Sequence, residues 1–487
     1  MLEDLLVKVD TAIRDTLVRL NRNELGIAFV VDDEGRLEGV ATDGDIRRGL
    51  LDGATLESPI SRVMNRKALA LPAGSDRHKI VESLTRRIRL IPLLDADRRV
   101  VDYASLARYT SIPVASPSLD GNERAYVLDC LESGWISSQG GYLRKFEATF
   151  AEFLGVEHAL AVSNGTVALH LALVALGIGP GDEVIVPDLT FAASASAVIH
   201  AGATPVLVDV KRTSWTLDLD KAASAIGPRT RAIMPVHLYG QPADMDGVKA
   251  LADRHGLLVV EDAAEALGST WKGRRVGSFG DASTFSFFAN KIVTTGEGGM
   301  AVFADSTVAD RARRLRDHGM NPAKRYWHDE IGFNYRMTNM QAAIGVAQME
   351  RIESFIQGKL ALAERYRKGL SGIPGVVLPV ERAEVLNTYW AYSILLSDCP
   401  SMEERDRVIA RLARLGIGTR PLFYPLHSMP AFRAFAGNRD FSTTDHLSAR
   451  GLSLPSAVTL KDREIDFVCQ SLGSLLAARD LLIATPQ

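Results

Sequence analysis

From Gly134 onward the sequence alternates short apolar segments with alanine-rich segments, and this alternation most limits the possible fold. Three of the apolar segments are residues 159–162, 183–187 and 257–260. Strands that alternate with helices form a mainly parallel sheet covered by helices. In such sheets, ligands bind beyond the carboxyl ends of the strands. The residues that follow each strand are therefore the first candidates for a functional site.

Three of these strand ends carry residues suited to a flat, phosphorylated ligand. Residues 163–166 are Ser-Asn-Gly-Thr before a predicted helix, whose free N–H groups favour a phosphate, although plain helix capping is the alternative. Phe191 follows the second strand and suits stacking on a ring, but core aromatic residues are also common there. Asp262 follows the third strand, where a carboxylate either pairs with a protonated pyridine nitrogen or caps a helix.

A lysine follows an aromatic, strand-forming segment. Residues 283–288 are Ser-Thr-Phe-Ser-Phe-Phe, and Lys291 lies between them and a glycine-rich turn. Burial favours the neutral amine, which can form a Schiff base with pyridoxal phosphate, and Ser286 offers a hydroxyl to the phosphate. A surface lysine is the alternative for any single lysine. Four separate elements that suit one cofactor make coincidence a poor explanation.

Composition excludes several classes of protein. The net charge of −3 over 487 residues does not indicate a basic surface of the kind that binds nucleic acid or anionic membranes. The three cysteines match neither a disulfide framework nor a zinc-site spacing, which fits a reducing cytoplasm and predicts no metal site. No apolar run reaches the ~18 residues expected of a membrane span, and the N-terminus is unlike a secretory signal. We therefore expect a soluble, cytoplasmic protein.

The first hundred residues contain an internal repeat. Residues 1–23 have apolar residues at helical spacing, which predicts a helix. Residues 26–41 then form a predicted hairpin, and residues 90–101 are a weaker copy of it. Asp32 and Asp95 occupy equivalent places in the two copies, which indicates a duplicated module. Residues 111–117, rich in proline and serine, are the expected linker.

Residues 1–112 resemble a CBS domain pair, a regulatory α/β module. The resemblance implies that Thr42 and Asp45 bind the ribose of an adenine or guanine nucleotide. The equivalents in the second copy are Ser105 and Arg108, so the carboxylate is missing there and one nucleotide per module is expected. The alternative is that the acidic residues after Thr42 only cap a helix.

Residues from about 113 to 487 resemble the DegT/DnrJ/EryC1/StrS family of sugar-nucleotide aminotransferases. The resemblance is carried by residues 134–138, 163–166, 177–184, 236–240, 261–266, 283–300 and 332–343. It implies the α/β architecture of fold-type I enzymes that depend on pyridoxal phosphate. A large cofactor-binding domain with a mainly parallel sheet would span residues 113–345, and a small C-terminal α/β domain would span residues 346–487.

The family resemblance also implies roles for individual residues. Lys291 would hold pyridoxal phosphate and move protons, and Asp262 would pair with the pyridine nitrogen. Further cofactor contacts are expected from Gly165, Thr166, Phe191 (or a neighbour), Glu265 and Ser286. Glu265 would lie near the phenolic oxygen, where a charged carboxylate repels a phenolate, so its protonation state stays open. Asn334 would reach the phosphate from a neighbouring subunit, which implies a homodimer with shared active sites.

The implied reaction moves an amino group from glutamate to C4 of a nucleotide-linked 4-keto-6-deoxy sugar. The similarity is greatest to family members that convert GDP-4-keto-6-deoxymannose to GDP-perosamine. Candidate substrate-binding residues are His318, Arg325, Tyr326, Arg420 and His427.

Three alternatives stay open at this point. One is amination of a UDP- or dTDP-linked sugar, at C3 or C4. Another is a sugar 3-dehydratase that uses the same cofactor, although those enzymes carry histidine where this chain has Lys291. The last is a nucleotide-sensing binding protein with a degenerate enzyme half, although every expected catalytic position is filled.

Overall fold

The structure is a computed structural model that describes residues 2–23, 25–75, 79–80, 83–85, 88–105 and 112–477. The chain divides into two compact units. The first comprises Met1–Ser111 and Ala413–Ile417, and the second comprises Ile112–Leu412 and Gly418–Gln487. The division that the sequence predicts between a large and a small domain near residue 345 stays a prediction.

The first unit contains the same three-stranded motif twice. The strands are β1 (Leu6–Lys8), β2 (Ile27–Val31), β3 (Leu37–Thr42), β4 (Leu71–Pro72), β5 (Leu90–Leu94) and β6 (Val100–Ser105). Among the described residues of this unit, helices with described bounds are α1 (Ile13–Asn23) and α2 (Asp43–Leu51). In each copy the first strand is parallel to the second, and the second is antiparallel to the third. Both predicted hairpins are therefore confirmed.

The two hairpin turns are also alike in detail. Asp32 Oδ1 accepts a hydrogen bond from the Arg36 N–H at 2.8 Å, and Asp95 Oδ1 accepts one from the Arg99 N–H at 2.8 Å. Aspartate favours such turns because its side chain bonds nearby backbone donors. The equivalence of Asp32 and Asp95 therefore holds in the structure. Arg108, the second-copy residue predicted to replace a carboxylate, lies outside the described residues.

The helix predicted for residues 1–23 is wrong in its first half. Leu6–Lys8 form β1, which pairs with Phe29–Val31 of β2, and α1 begins only at Ile13. Pairing with β2 satisfies the backbone of these residues and buries Val7, so tertiary contacts override the local helical spacing.

The second unit contains a series of short strands. They are β7 (His158–Val162), β8 (Glu183–Pro187), β9 (Thr204–Val208), β10 (Thr230–Ile233), β11 (Leu258–Asp262), β12 (Thr270–Trp271), β13 (Arg274–Arg275), β14 (Ala282–Ser286), β15 (Gly299–Phe303), β16 (Val376–Val377), β17 (Val385–Leu386), β18 (Tyr392–Leu396), β19 (Arg420–Pro421) and β20 (Gly451–Leu454).

Helices connect most of these strands. They are α3 (Glu123–Ser133), α4 (Gly141–Leu154), α5 (Gly165–Ala175), α6 (Ala193–His200), α7 (Leu219–Ser224), α8 (Met245–His255), α9 (Ser306–Arg316), α10 (Asn339–Met349), α11 (Ile352–Leu370), α12 (Met402–Arg414), α13 (Ser442–Arg450) and α14 (Asp462–Ala477). Within the described ranges, no helix has the length and apolar character needed to cross a bilayer.

A seven-stranded sheet forms the centre of this unit. Its order is β7-β15-β14-β11-β10-β8-β9, and every neighbouring pair is parallel except the two that include β15. The mainly parallel sheet predicted from the sequence is thus confirmed. The connection after β14, residues 287–298, contains no crossover helix, so the chain returns antiparallel as β15. The carboxyl ends of β7, β8, β11 and β14 lie at one edge of the sheet.

Burial of helix α5 against the sheet fixes the position of its N-terminus at this edge. The helix is apolar around most of its circumference, and Ala168, Leu169, Leu171 and Ala172 are buried in the core against the sheet. A helix without a polar face is stable only when it is covered on all sides. Its N-terminus is therefore held at the carboxyl end of β7.

Two predictions for the C-terminal part are wrong in detail. The helix expected over residues 347–352 spans the break between α10 and α11. The strand expected over residues 387–395 begins only at Tyr392. Its first half is a turn, because Asn387 Oδ1 accepts a hydrogen bond from the Tyr389 N–H at 2.6 Å and Tyr389 has a left-handed φ of 45°. Its second half, β18, belongs to a four-stranded sheet of order β16-β18-β20-β19.

Candidate active site

Lys291 lies in the connection between β14 and β15, with its amine enclosed. Its side chain is 13% exposed, and Nζ is 3.7 Å from Glu265 Oε1 and 3.9 Å from the centre of the Trp390 ring. Burial lowers the pKa of the Lys291 amine, against the opposing effect of nearby carboxylates. A lowered pKa increases the neutral fraction that acts as a nucleophile. The enclosed environment expected from the sequence is confirmed.

Asp262 is the last residue of β11 and is 6% exposed. Its Oδ2 accepts a hydrogen bond from Ser194 Oγ at 2.7 Å, and Ser194 Oγ is 2.9 Å from Thr190 Oγ1. Its Oδ1 accepts from the Ala264 N–H at 3.2 Å. These bonds fix the orientation of the carboxylate. Sequence reasoning gave no role to Thr190, in the segment after β8, or to Ser194, the second residue of α6.

The N-terminus of α5 approaches the end of β14 closely, and two glycines, Gly165 and Gly299, leave room for a cradle there. A Cβ on Gly165 would lie 2.9 Å from Ser286 Cβ, and one on Gly299 would lie 2.6 Å from the Asn164 carbonyl carbon. Only glycine allows this approach. Asn164 Oδ1 caps the helix through the Val167 N–H at 3.0 Å, so the first N–H groups of the helix face the cradle. The predicted residues Gly165, Thr166 and Ser286 meet here.

Glu265 is buried beside Lys291. Its Oε2 accepts a hydrogen bond from the Tyr239 N–H at 2.9 Å. Burial raises the pKa of Glu265 to about 7, although the Lys291 ammonium opposes the rise. Tyr239 has a left-handed φ of 53°, a conformation that costs a non-glycine residue energy and is kept only where surrounding contacts enforce it. The position of Glu265 therefore depends on a strained residue on a different segment.

A row of aromatic rings leads from Lys291 to Phe191. Trp390 stacks on Tyr239 with ring centres 6.2 Å apart and planes 7° apart. Tyr239 stacks on Phe423 at 5.3 Å, and Phe423 lies 5.7 Å from Phe191. Phe191 itself is 58% exposed. Sequence reasoning selected Phe191 from this row and missed the other three rings.

A buried pair below the site supports β11 from the opposite side. Glu261 is fully buried and accepts hydrogen bonds from three backbone N–H groups, those of Gly277, Phe279 and Gly280. His237 Nε2 is 3.0 Å from Glu261 Oε2, and His237 Nδ1 accepts from the Ala243 N–H. Because Nδ1 accepts, Nε2 carries the hydrogen and donates a hydrogen bond to Glu261. The pair holds the strand that presents Asp262.

The substrate-binding candidates lie in different surroundings. Arg420 is exposed, and its charge contributes to the lowered pKa of Lys291. His427 Nδ1 is 2.7 Å from Asp188 Oδ2, and its Nε2 is 3.5 Å from Asp445 Oδ1. Both nitrogens of His427 therefore face carboxylates of the protein, and its predicted contact with substrate stays a prediction.

His318, Arg325, Tyr326 and Asn334 belong to one exposed segment. Asn334 Oδ1 accepts from Arg336 Nη2 at 3.3 Å, and Arg336 Nη2 is also 3.3 Å from His318 Nε2. Within the part of the chain that the structure describes, no hydrogen bond joins Asn334 to Lys291. The predicted roles of these residues are not tested by their positions in one chain.

In the first unit, Thr42 and Asp45 form a reciprocal helix cap. Thr42 Oγ1 donates to Asp45 Oδ2 at 2.6 Å, the Thr42 N–H donates to the same oxygen at 3.0 Å, and Asp45 N–H donates back to Oγ1. Arg48 Nη2 donates to Asp45 Oδ1 at 2.6 Å. The helix cap that was the alternative explanation for this segment is therefore present in the structure. Nucleotide binding stays a prediction.

The groups at the sheet edge fit pyridoxal phosphate. An amine with a lowered pKa suits the aldehyde, and a fixed carboxylate on Asp262 suits a protonated pyridine nitrogen. The glycine cradle and the N-terminus of α5 suit a phosphate, which a side chain at Gly165 would exclude. Each part of the cofactor thus has a complementary group in the structure.

Comparison with known proteins agrees with this arrangement. The profile of the DegT/DnrJ/EryC1/StrS aminotransferase family matches residues 117–473, and that of the CBS domain matches residues 1–52. The GDP-perosamine synthase of Caulobacter vibrioides is 50% identical over 366 residues, which cover 75% of this chain and 98% of that protein. The GDP-perosamine synthase of Vibrio cholerae is 46% identical over 358 residues, covering 74% and 97%.

A solved structure extends the likeness to the fold. The PLP-form of a putative sugar aminotransferase from Streptococcus pneumoniae superposes with a TM-score of 0.71 and 29% identity, covering 75% of this chain and 98% of that one. Sequence, fold and site chemistry agree over the same part of the chain. The chain belongs to the DegT/DnrJ/EryC1/StrS aminotransferase family, as a pyridoxal phosphate-dependent sugar aminotransferase with an N-terminal CBS domain.

Proposed function

We propose that this protein transfers the amino group of glutamate to C4 of GDP-4-keto-6-deoxymannose and so forms GDP-perosamine. The observation that carries the proposal is the enclosed Lys291 amine beside Glu265, in a chain that shares 50% and 46% identity with two GDP-perosamine synthases. A lysine at this position also favours amino transfer over the dehydratase alternative, which would place histidine there.

Several residues of this chain would hold the cofactor. Asp262, oriented by Ser194, would keep a proton on the pyridine nitrogen. When bound, pyridoxal phosphate supplies an electron sink for the negative charge that develops at the substrate carbon. The N–H groups of Gly165 and Thr166 and the hydroxyl of Ser286 would bind its phosphate, and Phe191 or a neighbour would cover its ring.

Lys291 would carry the protons. Its amine is buried enough to be partly neutral, yet it lies beside a carboxylate that stabilises the ammonium. Nζ would therefore accept the proton that leaves the amino-bearing carbon of glutamate, and in the second half of the reaction it would supply a proton to C4 of the sugar. Glu265 Oε1, 3.7 Å away, would hold a proton near the phenolic oxygen and avoid placing two anions together.

Substrate would enter from the side of Arg420, whose guanidinium suits the carboxylate of glutamate or a phosphate of the nucleotide. His318, Arg325, Tyr326 and His427 complete the proposed substrate contacts. The exposed position of Asn334 supports a homodimer in which this residue reaches the phosphate of the partner's site. The composition supports a cytoplasmic location.

The N-terminal unit would regulate the enzyme or its assembly. Its duplicated motif supports the proposed pair of CBS halves over residues 1–112, with Thr42 and Asp45 as the ribose-binding residues. The remaining boundaries proposed from the sequence are 113–345 for the cofactor-binding domain and 346–487 for the small domain.

A panel of nucleotide keto-sugars tests the substrate. Purified enzyme with pyridoxal phosphate and glutamate is incubated with GDP-, UDP- and dTDP-linked keto-sugars, and the aminated products are separated and their structures determined by NMR. We expect turnover with GDP-4-keto-6-deoxymannose to exceed the others by at least tenfold in kcat/KM. Preferred amination of another base or at C3 would contradict the proposal.

A further inference from the structure

Trp390 presents the face of its ring to the catalytic amine. Lys291 Nζ lies 3.9 Å from the ring centre, closer than the ~6 Å limit for a cation–π contact. Glu265 Oε1 lies 3.7 Å from the same nitrogen. The amine thus contacts both an aromatic face and a carboxylate, and each of them favours its ammonium form.

The indole is fixed from several directions. Its Nε1 donates to the Asn290 carbonyl at 2.8 Å, which ties the ring to the residue that precedes Lys291. The ring also stacks on Tyr239 with planes 7° apart. The main-chain carbonyl of Trp390 accepts from the buried Lys359 Nζ at 2.9 Å. A ring held at this many points is preorganised toward Lys291.

The two groups that surround the amine are coupled through Tyr239. Its ring supports Trp390, and its N–H donates to Glu265 Oε2 at 2.9 Å. Tyr239 makes both of these contacts from a left-handed backbone conformation, with a φ of 53°. This left-handed conformation costs energy. A tryptophan that only filled space would not require a strained neighbour, so the strain indicates a specific role for the ring.

We propose that Trp390 is a positioning residue that holds the Lys291 amine, in the part of the catalytic cycle in which that amine is not bonded to the cofactor. The ring face and Glu265 together form a defined position for the ammonium. From there the amine returns to the same place in every turnover instead of adopting other rotamers. This inference rests on the proposed role of Lys291 but not on the identity of the sugar.

The proton-binding behaviour of Lys291 in cofactor-free protein tests the proposal. The charged groups that act on its amine are Glu265, Asp262 and Arg420, and all three are retained in the variants used. Competitive acetylation across a pH series, followed by mass spectrometry, gives an apparent pKa for each lysine. Trp390→Leu replaces the ring face with another apolar side chain, so loss of the cation–π contact should lower the apparent pKa of Lys291 by roughly 0.4–1.5 units.

Two other lysines serve as internal references. Lys359 binds the main-chain carbonyl of Trp390 and not its ring, so a general loosening of the segment would change Lys359 as well. Lys324 lies 3.6 Å from the exposed Trp327 ring and is untouched by the substitution. A lowered pKa at Lys291 with both references unchanged supports the proposal. An unchanged Lys291, or equal changes at Lys291 and Lys359, overturns it.

A second measurement keeps the test decisive if Trp390→Leu does not fold. Fluorinated tryptophan retains the ring's shape but weakens the negative charge on its face. In protein labelled this way, the apparent pKa of Lys291 should fall, and an unaltered value would refute the role of the ring. Because both experiments use protein without cofactor or sugar, a failed substrate assay and a failed positioning role give different results.

Discussion

Ser194 Oγ donates a hydrogen bond to Asp262 Oδ2 at 2.7 Å, from a helix start to the end of a strand 68 residues later in the chain. A hydrogen bond to a charged group is worth about 1.5–3 kcal/mol. Ser194→Ala should therefore weaken pyridoxal phosphate binding or reduce kcat about 10- to 100-fold. Cofactor affinity from absorbance titration and steady-state kinetics check this. Ser196→Ala, on the same helix, is the matched control and should leave both values unchanged.

Lys291→Ala should abolish transamination. It removes covalent attachment and proton transfer together, and general acid–base catalysis alone contributes ~10²–10⁴-fold. The measurement is product formation with glutamate and the keto-sugar, alongside thermal melting to confirm the fold. Lys272→Ala, at an exposed lysine paired with Asp246, is the control. Turnover near the wild-type rate in Lys291→Ala would remove this residue from the mechanism.

Stability of the cofactor-free protein should depend on Glu265 between pH 4.5 and 7. Burial raises the pKa of Glu265 from 4.5 to about 7, so in this window the folded state retains a proton that the unfolded state loses. The contribution of Glu265 to stability is then fully present below pH 4.5 and is lost as pH rises through about 7.

Glu265→Gln should remove this loss. Urea unfolding at pH 5 and pH 8 should show the wild type losing up to about 3 kcal/mol more than the variant as pH rises. Exposed Glu157→Gln is the control and should behave as the wild type does. Equal pH dependence in all three proteins would contradict a protonated Glu265.

A mixture of two inactive variants should regain activity if the active sites are shared. Lys291→Ala and Asn334→Ala subunits that exchange would form heterodimers with one doubly defective site and one intact site. We expect up to about half the wild-type activity per heterodimer, as measured after co-refolding or co-expression with different affinity tags. A mixture of Lys291→Ala with itself is the control. No recovery in heterodimers isolated by both tags would exclude a shared site.

Nucleotide binding by the N-terminal unit should depend on the pair formed by Thr42 and Asp45. Asp45→Ala should weaken the binding of adenine or guanine nucleotides to the full-length protein at least tenfold, as measured by calorimetry. It should also cost about 1 kcal/mol through loss of the helix cap. Asp43→Ala removes a carboxylate from the same turn and should retain binding. If no nucleotide binds the wild type at millimolar concentration, Thr42 and Asp45 act only as a cap.

The residues around the cofactor site divide into those that the sequence predicts and those that it does not. Gly165, Asp262, Ser286 and Lys291 were predictable because each lies at or shortly after the carboxyl end of a strand, and parallel strands place those ends at one edge. Ser194, Tyr239 and Trp390 were not. Their contacts join segments that lie 68, 26 and 100 residues apart, to Asp262, Glu265 and Asn290 respectively, and no local pattern encodes those distances.

The first unit also contains features that the sequence predicts and one that it does not. The sequence by itself determined the duplicated hairpins, because a turn at Asp32 or Asp95 is specified by neighbouring residues. It did not determine β1, whose residues have helical spacing in isolation. Only pairing with β2 decides their conformation, because a strand obtains its hydrogen bonds from another part of the chain whereas a helix obtains them from its own.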